Sequence, residues 1–178
     1  MFLIFTEVLR TTWNRIWQMR KIICNTTPVL SLLKIGKLDL LKELYGKVVI
    51  PFAVYQEIEE GKEKAFYQDL TSIEWIEIVN IENRYLREFL FDLDDGEAEV
   101  LILAKETNAS LVIMDEIMGR RYAKELGFDI TGTIGILLKA KKKGLISSVK
   151  ELVSELLRKG TWLNPNLVSK VLKIANEK

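Results

Sequence analysis

Residues 94 to 116, Asp-Asp-Gly-Glu-Ala-Glu-Val-Leu-Ile-Leu-Ala-Lys-Glu-Thr-Asn-Ala-Ser-Leu-Val-Ile-Met-Asp-Glu, constrain the fold more than any other stretch. Asp94 and Asp95 suit the cap and first turn of a helix, where their oxygens accept backbone N–H groups that have no partner within the helix. Val100, Leu101, Leu103 and Ala104 then recur at helical spacing, which predicts one buried face. The run from Ser110 to Met114 is short and apolar, as in strands covered on both sides, and such strands belong to parallel sheets. Asp115 therefore falls at the carboxyl end of a strand.

Open α/β sheets bind their ligands beyond the carboxyl ends of the strands. Asp115 is thus a site candidate, and Glu97, at the start of the preceding helix, can face the same crevice. The plainer alternative is that Asp94, Asp95 and Glu97 cap one helix while Asp115 opens the next.

The rest of the chain repeats the theme. Lys21 to Asn25 reads as a first buried strand, and Thr26, Thr27 and Pro28 start a helix with a hydroxyl cap and a proline in the first turn. That helix closes at Gly36, and a second carries Leu38, Leu40, Leu41 and Leu44 to Gly46. Val48 to Ile50 is a second strand, and Pro51 opens a helix that turns Val54, Tyr55 and Ile58 inward. Glu57 lies about two turns along that helix, at roughly 1.5 Å per residue, within reach of the crevice that holds Asp115. It also reads as one of several solvated acids on a helix surface.

Trp75 to Ile81 alternates like an edge strand, and Asn83 to Phe91 reads as a helix. After Asp115 come a helix closed at Gly127, a short strand at Phe128 to Thr131, and a lysine-rich helix opened by Gly132-Thr133-Ile134-Gly135. Lys139, Lys141, Lys142 and Lys143 read either as a basic rim beside the acidic crevice or as a solvated helix end that complements the dipole. Two more helices, Ser147 to Arg158 and Pro165 to Asn176, complete the order. Strands alternating with helices predict an α/β fold, a three-layer αβα sandwich around a mainly parallel sheet of about five strands. Asn25, Glu57, Glu97 and Asp115 converge on one end of that sheet.

Composition narrows the chemistry. The chain has no histidine and one cysteine among 178 residues. Histidine bases, Ser-His and Cys-His pairs, histidine-bearing zinc sites and thiolate metal sites are all excluded. Neither common glycine-rich phosphate loop occurs. Clustered carboxylates remain, and these imply Mg²⁺ or Mn²⁺. A net charge of +1 means that any nucleic-acid affinity comes from local patches. The lone cysteine fits a reducing compartment, so a cytoplasmic location is expected.

Residues 1 to 18 read as an extension to a single domain over 19 to 178. Phe5, Leu9, Trp13 and Ile16, with Trp17 beside them, form an apolar stripe at helical spacing, and Met19 offers an alternative start. Neither a membrane span nor a signal peptide is expected there.

Five segments in order, Ile22-Ile-Cys-Asn-Thr-Thr-Pro28, Val49-Ile-Pro-Phe-Ala-Val-Tyr-Gln-Glu57, Asp95-Gly-Glu-Ala-Glu99, Leu111-Val-Ile-Met-Asp115 and Gly132-Thr-Ile-Gly135, resemble the PIN-domain proteins, and within them a subgroup with a Gly-Glu-Ala-Glu motif. The resemblance covers about residues 20 to 160. It implies cleavage of single-stranded RNA with Mg²⁺ or Mn²⁺, and, as for many VapC-like members, a toxin held by an antitoxin protein; homodimers are common in the family. The family acids would fall on Glu57, Glu97 and Asp115, with Asn25 first in the set, Glu99 as a helper, and Thr26 or Thr27 as the hydroxyl that follows the first acid. Glu97 and Asp115 would be the main metal ligands, Glu57 a ligand or water-positioner, and Asn25 a weak or indirect ligand; Arg120, Lys124, Lys139 and Lys142 would contact RNA. Active nucleases of the family usually carry aspartate at the position of Asn25. That departure keeps a second expectation open, a catalytically weakened module that binds RNA or a partner.

Overall fold

A computed structural model describes residues 21–177 of the chain. The N-terminal extension expected over 1 to 18 lies outside the described residues. Five strands form one parallel sheet: β1 (Ile22–Cys24), β2 (Val48–Pro51), β3 (Ile76–Val79), β4 (Leu111–Ile113) and β5 (Ile130–Thr131). Their spatial order is β3-β2-β1-β4-β5. Successive residues of a strand point to opposite faces, yet every residue of β1 and β2 is buried. Both faces are therefore covered, as the αβα expectation requires.

Among the described residues eight α-helices accompany the strands: α1 (Thr26–Lys34), α2 (Leu40–Tyr45), α3 (Phe52–Glu59), α4 (Asp95–Glu106), α5 (Ile117–Glu125), α6 (Thr133–Lys142), α7 (Val149–Arg158) and α8 (Pro165–Ile174). Three details depart from the sequence reading. Asn25, not a threonine hydroxyl, occupies the cap of α1, and its side chain makes no capping bond. The segment before α4 is a 3-10 helix over Arg84–Phe89, not an α-helix. Its entrance is held by the Glu106 carboxylate, which accepts from the N–H groups of Glu82 and Asn83, and only Leu86 and Leu90 pack onto the core from it. Tyr85 and Phe89 stand in solvent.

The third departure concerns α4, which is buried on every side from Gly96 through Ala104. It packs on β1, β2 and β4 and is flanked by α3 and α5. A one-sided stripe understates a helix enclosed in this way, and two glutamates, Glu97 and Glu99, go into the interior with it.

The strand order sets the location of the site. From β1 the chain steps outward to β2 and β3, then returns past β1 to β4 and continues to β5. The direction of winding reverses between β1 and β4, and the crevice at such a switch point is where open α/β sheets take ligands. Ile22 pairs with Leu111, Ile23 with Val112 and Cys24 with Ile113. The ladder extends one step further, with the Asn25 N–H donating to the Ile113 carbonyl at 2.9 Å.

Candidate active site

Because β1 and β4 run in register, Asn25 leaves the sheet beside Met114, Asp115 and Glu116. The Asn25 amide donates from Nδ2 to Glu116 Oε2 at 2.9 Å, and the Asp115 N–H donates to the same oxygen at 3.1 Å. Asn25 is only 2% exposed, and its Oδ1 has no hydrogen-bond partner. Cys24, directly before it, is fully buried, and burial pushes its thiol well above the ordinary range, with Asp115 and Glu116 pushing the same way. It stays a thiol and adds no reactive thiolate.

Asp115 is clamped by the start of α6. The Thr133 N–H donates to Oδ1 at 2.8 Å and the Thr133 hydroxyl to Oδ2. Burial raises the Asp115 carboxyl above its ordinary value and Glu116 adds to this; Thr133 and the nearby Arg120 guanidinium offset part of the rise. Arg120 lines the wall, donating to the Met114 carbonyl at 2.7 Å.

Glu57 leans over the crevice from the second turn of α3. The Thr26 hydroxyl donates to one of its oxygens and the Gly96 N–H to the other, the latter at 3.0 Å. Of the two threonines that follow Asn25, Thr26 is the one that holds Glu57. Burial raises the Glu57 carboxyl even so, helped by Asp94 and Glu60.

Glu97 has a double role. It closes a capping box with Asp94, whose Oδ1 accepts from the Glu97 N–H at 2.7 Å while Glu97 Oε2 accepts from the Asp94 N–H at 3.3 Å. The return bond is long, and the carboxylate also faces Gly119 and Glu116. Burial, then Asp94, then Glu116 raise its carboxyl. Both readings of Glu97 thus apply, since it helps to cap α4 and lies on the crevice. Glu99 serves the architecture instead, its carboxylate accepting from the Ala53 N–H at 2.9 Å. It thereby completes the start of α3, whose cap residue Pro51 makes no side-chain capping bond.

Sequence reasoning missed Glu116 and three glycines. A Cβ on Gly96 would lie 2.5 Å from the Glu57 carboxylate, one on Gly132 2.3 Å from Asp115 Oδ1, and one on Gly119 2.2 Å from Met114 Sδ and 3.2 Å from Glu97 Oε1. Each glycine gives room to one site acid. Gly96 and Gly119 are themselves backbone partners of Glu57 and Glu97, and Gly132 directly precedes Thr133, the partner of Asp115.

The basic residues divide. Arg120 borders the crevice, and Lys124 follows one turn later on the exposed face of α5. Lys139 and Lys142 lie six and nine residues beyond Thr133 on α6, about 9 and 13 Å further along the axis at the usual rise. Lys139 sits over the Tyr45 ring at 4.2 Å, at the end of α2 that precedes β2 and so beyond the amino edge of the sheet. These two lysines stand away from the crevice, and the basic rim expected beside it is not formed by them.

In chemistry the donors suit a hard divalent cation: carboxylates, one orphaned amide oxygen, and acids that raise one another's affinity for protons. In position, no three His, Cys, Asp or Glu side chains among the described residues converge closely enough to hold one ion. Each carboxylate is turned instead onto a protein N–H or O–H. The donor set fits in kind, and engaging an ion asks these side chains to exchange some of those bonds and draw together.

A family model described as a PIN domain matches residues 21–177. No curated protein matches the chain.

Proposed function

The chain belongs to the PIN-domain family, and on that premise we propose that it is a divalent-metal-dependent endoribonuclease that cleaves single-stranded RNA. What supports this reading is that Asn25 and Asp115 share Glu116 as an acceptor where β1 and β4 part, while Glu57, held by Thr26 and Gly96, and Glu97, at the start of α4, border the same place. The PIN fold is a nuclease-type fold that generally uses divalent ions. When bound, Mg²⁺ or Mn²⁺ would supply an activated water and would stabilise the charge that grows on the phosphate.

Glu97 and Asp115 are the residues proposed to hold the ion, with Glu57 beside them. Thr133 fixes the direction of the Asp115 carboxylate, as Thr26 and Gly96 fix that of Glu57. Glu57, half-buried and with its carboxyl raised by that burial, is proposed to position a water and accept its proton. Arg120 supplies a cation on the wall for a phosphate, and Lys124 extends that side. In the cell the reading is that of a cytoplasmic toxin restrained by an antitoxin protein, acting as a homodimer.

The test is cleavage of a labelled single-stranded RNA pool with Mn²⁺, with Mg²⁺ and with chelator. Asp115→Asn and Glu97→Gln are expected to lower metal-dependent cleavage at least about a hundredfold with the fold intact. Undiminished cleavage in both variants would refute the assignment. A second reading, a module that binds RNA or a partner without cutting, draws on Asn25 and on the lack of three converging ligands among the described residues. RNA binding with no metal-dependent cleavage would select it.

A further inference from the structure

Position 25 lacks a charge where the proposed chemistry wants one, and the structure places a carboxylate directly against it. We propose that Glu116 supplies that missing carboxylate and orients the Asn25 amide so that Oδ1 is offered to a divalent cation. This deepens the nuclease reading and rests on it for the identity of the ligand.

The Asn25 amide has two possible orientations, and its neighbour decides between them. With Nδ2 toward Glu116 the amide donates to a carboxylate at 2.9 Å. Turned over, it would set its oxygen against that carboxylate, two acceptors with no proton between them. Glu116 Oε2 is held from the other side by the Asp115 N–H, which favours its present direction. The consequence is a carbonyl oxygen, Asn25 Oδ1, that is buried and accepts from nothing. Such orphaned acceptors are costly and uncommon in folded chains. A neutral amide oxygen can ligate a hard divalent cation, more weakly than a carboxylate.

The charge also balances. An aspartate at 25 facing a neutral partner and an asparagine facing Glu116 each carry one negative charge across the same pair of positions. Glu116 Oε2 accepts both from the Asn25 amide and from the Asp115 N–H, so it stands between two members of the set. It is a fourth acid of the crevice that the spacing of family motifs does not pick out.

The test uses the whole protein and Mn²⁺ alone, with affinity read by calorimetry or by the electron-paramagnetic-resonance signal of free Mn²⁺. Glu116→Gln keeps an acceptor for the Asn25 amide but removes the charge. It is expected to weaken Mn²⁺ binding about tenfold to a hundredfold, with an unchanged circular-dichroism spectrum. The double variant Asn25→Asp, Glu116→Gln moves the charge back across the pair and is expected to restore affinity to within about threefold of the native value. Native affinity in Glu116→Gln would overturn the proposal, as would a double variant no tighter than the single one or a native chain that binds no Mn²⁺. A native chain that binds Mn²⁺ through this pair but cuts no RNA would instead defeat the nuclease reading and leave this one standing. Metal-dependent cleavage with native affinity in Glu116→Gln gives the opposite separation.

Discussion

At the scale of single residues the site is built by pairing each acid with one donor and one gap. Gly132 shows how much depends on the gap. Its backbone is extended, with φ −140° and ψ −174°, so no left-handed conformation calls for glycine there. What calls for it is space, since a Cβ would lie 2.3 Å from Asp115 Oδ1 and 3.2 Å from the Met114 carbonyl oxygen. Asp115 cannot swing aside, because Thr133 holds both of its oxygens. Gly132→Ala is therefore expected to cost about 1–3 kcal/mol by urea denaturation and to abolish metal-dependent RNA cleavage. Gly61→Ala, where a Cβ meets nothing closer than 3.4 Å, is the control and should stay within about 0.5 kcal/mol of native. A native-like Gly132→Ala would show that the clamp on Asp115 gives way easily. The positions of Asn25, Glu57 and Asp115 were legible in the sequence because each follows a strand end closely, and that of Glu97 because it lies in the first turn of the helix before β4. Glu116 was not, because an acid at the head of a helix has an ordinary explanation and only the β1–β4 register reveals what it faces. Gly96, Gly119 and Gly132 were hidden for the same reason, since their partners are distant in sequence.

At the scale of elements, α4 holds the crevice together from inside. It brings Asp94, Gly96 and Glu97 to the site at its first turn and, one turn on, sends Glu99 to the start of α3, the helix that carries Glu57. Pro51 precedes α3 and offers no side-chain acceptor, so Glu99 satisfies an N–H that would otherwise be buried without a partner. Glu99→Ala is expected to destabilise the fold by about 1–3 kcal/mol. Glu99→Gln, which retains an acceptor oxygen, should cost less, and denaturant midpoints of the two variants decide the matter. Equal midpoints for native and alanine forms would mean that the Ala53 N–H has found another partner. The alternation of strands and helices was legible because a buried strand and an amphipathic helix have different periods. The complete burial of α4 was not, because apolar periodicity reports one face while the second face of α4 is covered by α3 and α5. The helix read over 83–91 is a 3-10 helix over Arg84–Phe89, and over so short a segment side-chain spacing does not distinguish the two kinds.

At the scale of the whole molecule the acids divide into two classes that act on stability at opposite ends of the acidic range. Glu57, Glu97 and Asp115 have carboxyls raised above their unfolded values, chiefly by burial. In the window between the unfolded and folded values the native state binds more protons, so stability falls as pH rises through it and the loss is complete above the folded values. Glu177 is the reverse. Its carboxylate accepts from the Lys141 ammonium, from the Lys150 and Val149 N–H groups and from the Ser148 hydroxyl, and so ties the end of the chain to the junction of α6 and α7. These bonds, led by Lys141, hold it at about 2 against an ordinary 4.5. Its contribution is present above about 4.5 and is lost as pH falls toward 2. Thermal midpoints should therefore pass through a maximum in mildly acidic solution. Glu177→Gln should remove the part of the acid limb that Glu177 supplies, and Asp115→Asn should flatten the other limb. Millimolar Mn²⁺ at neutral pH should raise the native midpoint by occupying the repelling acids, and chelator should reverse it. If the limb above the maximum is equally steep in Asp115→Asn, or if Mn²⁺ leaves the midpoint unmoved, the crevice acids are not the groups that set it and the proposed cation site loses its physical basis.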